Sequence, residues 1–126
     1  DSMHRSAITP YGPSKAAIEA ATIAWAEAMF GSGITFNALS PGGLVDTKFA
    51  TGSIDGRGLD PRVVGPMAVW LGSESSNKTT GCRFVAENWD ANLPVDEAAE
   101  GCRERAIFTP PKRETPLEKA WREPGV

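Results

Sequence analysis

Ile34-Thr35-Phe36-Asn37-Ala38-Leu39-Ser40-Pro41-Gly42-Gly43 sets the fold class of this chain. An apolar and β-branched run enters a Ser-Pro-Gly-Gly turn, which predicts a short strand over 34–39 with a sharp stop. Working upstream, residues 11–30 predict a helix. Pro10 and Pro13 fall near its first turn, where a missing N–H costs nothing. Ala16, Ala17, Ala20, Ala21, Ala24, Ala26 and Ala28 give it high propensity, and Gly31-Ser32-Gly33 stops it. Its apolar residues (Ile18, Ile23, Trp25, Met29, Phe30) lie on more than one face. Such a helix is expected to be buried on several sides or to pack against another subunit.

Working downstream, residues 44–59 are Gly-rich and of mixed polarity, and read as a mobile loop. Asp60-Pro61 is an N-cap with proline at the first helical position, opening a helix that runs to about Leu71. Gly65-Pro66 should kink or loosen its early turns. Cys82 to Ala86 predicts a second short strand. The order helix, strand, loop, helix, strand is that of an α/β protein whose parallel strands are joined by helical crossovers. Two strands alone make a sheet of little independent stability, so the pattern predicts the end of a larger, doubly wound parallel sheet.

The division expected is a first unit over residues 1–90 and a carboxyl-terminal extension over 91–126. Within the extension, residues 94–105 could form an amphipathic helix with Val95, Ala98, Ala99 and Cys102 on one side. Residues 106–126 carry four prolines among charges and read as irregular. Thr115-Pro116-Leu117-Glu118 has the outline of a capping box, which allows a short last helix through Trp121. The tail either packs across a subunit interface or is solvated.

Bulk properties narrow the function classes. Composition is 40% hydrophobic and 23% charged over 126 residues, which is that of one globular domain or part of one. A net charge of −3 argues against nucleic-acid binding, which needs a basic face. No apolar run is long enough for a membrane span, and the first residues lack the apolar stretch of a signal peptide. A cytoplasmic location is expected. Cys82 and Cys102 have no CxxC spacing and His4 is the sole histidine, so no metal site is expected. The two thiols are expected to be free and packed. His4 is expected to be exposed, and Trp25, Phe30, Trp70 and Phe84 to lie in a core or an interface.

Tyr11-Gly12-Pro13-Ser14-Lys15 places a phenol and an ammonium at i and i+4 on one helical face. A phenol titrates near pH 10 and is a reluctant proton relay at neutral pH; a nearby cation favours its phenolate. So arranged, a tyrosine can protonate a carbonyl as hydride arrives or deprotonate an alcohol as hydride leaves. Taken alone, the pair is weak evidence and reads first as two exposed helical residues.

The surrounding motifs add to it. The Tyr-Gly-Pro-Ser-Lys helix is followed by Asn37-Ala38-Leu39-Ser40-Pro41-Gly42-Gly43-Leu44-Val45-Asp46-Thr47 and then by Leu71-Gly72-Ser73 and Thr80-Gly81. In this order, over residues 11–85, they resemble the carboxyl-terminal half of the short-chain dehydrogenase/reductase family. The resemblance implies part of a Rossmann-like doubly wound sheet and an NAD- or NADP-dependent exchange between an alcohol and a ketone. It implies that Tyr11 is the acid/base, and that Lys15 lowers its pKa and binds the nicotinamide ribose. It implies that Pro41 and Gly42 lie against the nicotinamide, and that the backbone of Leu44 or Val45 and the hydroxyl of Thr47 hold the carboxamide. Asn37 is expected near the strand's carboxyl end, buttressing the turn. Residues 47–59 correspond to a substrate lid, and the helix over 11–30 to a homo-oligomer interface.

Two features depart from the family pattern. The glycine-rich pyrophosphate turn is absent from these residues, and the serine that partners the tyrosine would fall before Asp1, with Ser2 and Ser6 poor substitutes. Two expectations follow: the back half of a longer oxidoreductase, or a truncated, non-catalytic chain acting at most in dimerisation.

Overall fold

The computed structural model describes residues 9–48 and 58–104. The chain is a mixed α/β protein. Its described elements are helix α1 (Tyr11–Ala28), strand β1 (Ala38–Ser40), a 3-10 turn over Pro61–Val64, helix α2 (Gly65–Leu71), strand β2 (Arg83–Val85), helix α3 (Val95–Gly101) and strand β3 (Arg103–Glu104). The strands lie in the order β1-β2-β3. The β1–β2 pair is parallel, with Ser40 opposite Val85. The β2–β3 pair is antiparallel, with Phe84 opposite Arg103.

The predicted strand over 34–39 is shorter and shifted, because regular pairing begins only at Ala38. Its lead-in is held by side chains instead. The Phe36 N–H donates to Thr80 Oγ1 at 3.0 Å, and Asn37 spans to Thr79 and Cys82 through its amide. The 11–30 helix ends at Ala28, two residues early. Its last N–H groups close on Trp25 and Glu27, and Gly31 and Gly33 then take left-handed φ values of 82° and 84°. The Asp60 carboxylate caps the Arg62 N–H at 2.8 Å, and the helix start is 3-10 until Gly65, where Pro66 enters the first α turn. The helix expected over 94–105 spans Val95–Gly101 and gives way to β3, an element of two polar residues with no pattern to announce it.

The core joins Met67 and Trp70 of α2, Phe84 of β2, Ala86, and Ala99 and Cys102 at α3. Met67 and Phe84 are completely buried, and the Trp70 and Phe84 rings meet at 5.9 Å with a 60° tilt, a favourable aromatic geometry. The Trp70 indole N–H is satisfied by Asp96 Oδ1 at 2.7 Å, tying α2 to α3. Residues 95–104 thus share the core of the sheet. Ala98, Ala99 and Cys102 turn inward, whereas Val95, expected on the same side, is exposed. Cys82 and Cys102 are both free, and burial pushes the Cys102 thiol up from its ordinary value.

Helix α1 is held more lightly. Only Gly12, Thr22 and Ala26 are buried on it. Trp25 stacks obliquely on Phe36 at 5.8 Å yet stays 53% exposed, and Phe30 is 83% exposed. The strongest tie is ionic: Arg83 Nε meets Glu19 Oε1 at 3.0 Å, with the Glu19 side chain only 16% exposed. The same guanidinium reaches Glu104 of β3, so one arginine links α1, β2 and β3.

Candidate functional site

Tyr11 opens α1 and Lys15 follows one turn later, so the helix alone brings the two side chains together. Lys15 Nζ stands 5.4 Å from the centroid of the Tyr11 ring, and Tyr11 is half exposed. The Ser14 hydroxyl donates to the Tyr11 carbonyl at 2.7 Å, a local backbone bond that occupies the serine between them.

The register of α1 on the sheet places this pair. Ala26 lies against Gly81, before β2 begins, and Glu19 meets Arg83, its first residue. Reading the helix backwards therefore follows the strand forwards, and α1 runs antiparallel to β1 and β2. Tyr11 is eight residues before Glu19, about 12 Å along the helix axis. Strand β2 covers only about 7 Å from Arg83 to Val85. The start of α1 overshoots the strands at their carboxyl ends, where β1 gives way to Pro41. Open α/β sheets bind ligands at that end.

The turn after β1 is built by its neighbours. The Glu87 N–H donates to the Pro41 carbonyl at 3.0 Å. Gly42 has φ 108°, and a Cβ there would stand 2.5 Å from both Cβ and Oε2 of Glu87. The close approach that requires glycine is thus made by Glu87. Leu59 closes the following segment: its N–H donates to Leu44 at 2.8 Å and its carbonyl accepts from Asp46 at 2.9 Å, a parallel bridge centred on Val45. In such a bridge the central residue's own peptide groups point away from the partner. The N–H and C=O of Val45 therefore face away from Leu59. Leu44 is exposed and lends its carbonyl to the bridge, which leaves Val45 the better placed of the two expected carboxamide contacts. Thr47 is exposed in the bend that follows this bridge.

Asn37 is not where the sequence reading put it. It precedes β1, at the amino end of the strand, and its amide is spent on the other turn: Nδ2 donates to the Thr79 carbonyl at 2.7 Å and Oδ1 accepts from the Cys82 N–H at 3.1 Å. Its role is to align the entries of β1 and β2. Just past the loop, the Arg62 guanidinium and N–H hold the exposed Asp60 carboxyl down to about 2, from 3.8. Ser2, His4, Ser6, most of the expected lid and Trp121 lie outside the described residues.

Glu87 and Leu59 are the neighbours that sequence reasoning missed. Glu87 becomes legible only from the register: with Ser40 opposite Val85, extending the parallel pairing two residues sets Gly42 opposite Glu87. Leu59 had none, being one apolar residue in a loop.

Among the described residues no three His, Cys, Asp or Glu side chains converge as metal ligands, and no helix is long and apolar enough to cross a membrane. No protein-family model, curated protein or solved structure matches the chain. The resemblance of residues 11–85 to the dehydrogenase family therefore rests on the sequence motifs alone.

Proposed function

We propose that this chain carries the acid/base and nicotinamide side of an NAD- or NADP-dependent oxidoreductase of the short-chain dehydrogenase/reductase type, interconverting an alcohol and a ketone. On this reading β1 and β2 are the last parallel strands of a Rossmann-like doubly wound sheet. The observation that carries it is the antiparallel register of α1. With Glu19 at Arg83 and Ala26 at Gly81, that register is what supports reading Tyr11 and Lys15 as neighbours of the Pro41–Val45 segment.

The residues suit a nicotinamide dinucleotide. A peptide N–H and C=O on Val45, turned away from Leu59, match the acceptor and donor of a carboxamide. The Thr47 hydroxyl and the Lys15 ammonium are exposed groups able to bind amide and ribose oxygens. Bound there, the dinucleotide supplies or accepts hydride. Tyr11 gives its phenolic proton to the carbonyl oxygen in reduction and takes it back from the alcohol in oxidation. Lys15 stabilises the phenolate electrostatically and fixes the ribose.

Titration of the 126-residue chain with NADH and NADPH, followed by nicotinamide fluorescence, tests the proposal. Saturable binding is expected, and Tyr11→Phe, which keeps the ring, should still bind while losing proton transfer. Absence of saturation for both cofactors sinks it. A second reading, a non-catalytic chain that associates through the 11–30 helix, is favoured by the exposure of Ile18, Trp25 and Phe30. It predicts a homo-oligomer in sedimentation that Trp25→Asp dissociates.

A further inference from the structure

We infer that Glu87 is a positioning residue for the nicotinamide turn: it seats Pro41–Gly43 from the β2 side and thereby sets the face that Val45 presents. The inference rests on the proposed cofactor site and adds to it a residue that no motif names.

The turn has two flanks, and they are not equivalent. Toward β2, the place where a Gly42 side chain would stand is filled by Glu87 Cβ and Oε2, each 2.5 Å from that point, with Val85 Cγ1 at 3.1 Å. A Gly43 side chain would meet Leu59 Cδ1 at 3.3 Å and Glu87 Oε2 at 3.9 Å. The other flank lies toward the edge of β1 away from β2, where no further strand pairs among the described residues. A ligand resting on the turn must use this second flank, because the first is packed.

The Glu87 backbone N–H on the Pro41 carbonyl anchors one end of the turn whatever the side chain at 87. The side chain does the rest. Its Cβ and Oε2 both lie against Gly42, and Oε2 comes within 3.9 Å of where a Gly43 side chain would stand, so the side chain occupies the β2 flank of the turn. Leu59, bonded to Leu44 and Asp46, extends the same packed flank to Val45 and turns the Val45 peptide to the opposite side. Glu87 is itself exposed and its truncation opens no core cavity. Its effect is therefore separable from stability. Shape is what matters: Glu87→Gln keeps both contacting positions filled, and Glu87→Ala keeps Cβ but removes the end of the side chain that stands 2.5 Å from the Gly42 position.

The experiment compares the wild-type chain, Glu87→Ala and Glu87→Gln by amide NMR, first free and then titrated with nicotinamide mononucleotide. Without ligand, the Gly42, Gly43 and Val45 amides should move in Glu87→Ala and stay in place in Glu87→Gln, with the thermal midpoint unchanged in both. With ligand, Glu87→Ala should bind about tenfold more weakly, as expected for a contact displaced by a fraction of an ångström, and Glu87→Gln should bind like the wild type. Amides of Glu87→Ala superimposed on the wild type would overturn the inference whatever the titration gives, as would equal affinities of the alanine variant and the wild type. Amides that move as expected in a wild-type background that does not bind the mononucleotide would leave the seat standing and remove the cofactor site it was proposed to serve.

Discussion

The two sides of this sheet are held by different forces. Below it, α2 and α3 close on Phe84 in a cluster where Met67, Phe84, Ala99 and Cys102 are buried almost completely. The ties of helix α1, which carries Tyr11 and Lys15, include the Trp25–Phe36 ring stack, the contact of Ala26 with Gly81 and an arginine shared with β3. The difference teaches where each job is done. The core fixes β2, β2 fixes the turn after β1 through Glu87, and α1 is positioned from outside by polar reach.

The sharpest way to break the comparison is at its packed side. Phe84→Ala should cost about 3–5 kcal/mol in denaturant unfolding, the usual toll for removing a buried aromatic and leaving a cavity. Arg83→Met comes next. It strips the partner from a Glu19 carboxylate whose Oε2 already lacks a hydrogen bond. A loss of about 1.5–3 kcal/mol is expected, the range for a hydrogen bond to a charged group. Hydrogen exchange should show α1 amides losing protection while α2 and α3 keep theirs; a uniform loss would show that α1 belongs to the main cooperative unit.

Gly42→Ala tests the link between the halves. A Cβ must displace Glu87 and occupy a φ of 108°, so roughly 1–3 kcal/mol should be lost. Glu87→Ala should recover only the part due to overlap with Oε2, because it keeps the Cβ that stands equally close, and it should leave the backbone strain.

The element order was legible in the chain, and the reasons are local. Gly31-Ser32-Gly33 stops a helix wherever it stands, and Asp60-Pro61 starts one, since the Asp60 carboxylate does accept the Arg62 N–H. What was not legible depends on pairing across long separations. Strand β3 is Arg103-Glu104, two polar residues that become a strand only because β2 lies beside them. Trp25 and Phe30 look like Trp70 and Phe84 in composition, yet the first pair is exposed and the second buried. Asn37 was expected to serve the turn ahead of it and instead binds Thr79 and Cys82, whose proximity follows from the β1–β2 register. Tyr11 and Lys15 could be found because their spacing is set within one helix; Glu87 could not be found until that register was known.

Smaller effects sharpen the picture at its edges. The Asp60 cap is held by Arg62, and its carboxyl titrates at about 2 instead of 3.8. Because the folded value is the lower one, this stabilisation is present above pH 3.8 and is lost as the pH falls toward 2. The stability gap between wild type and Asp60→Ala should narrow across that window in circular dichroism melts; a gap independent of pH would exclude the charged cap. Smallest of all, Phe30→Ser should change the stability of the monomer by no more than about 0.5 kcal/mol, because so exposed a ring contributes little packing.

The central claim is that the start of α1 and the turn after β1 form one site. Mapping amide shifts of the 126-residue chain during a single titration with NADH tests it most directly. The account predicts that Lys15, Gly42, Val45 and Thr47 move together along one saturable curve. Movement of the turn without Lys15, or a curve that never saturates, would contradict it.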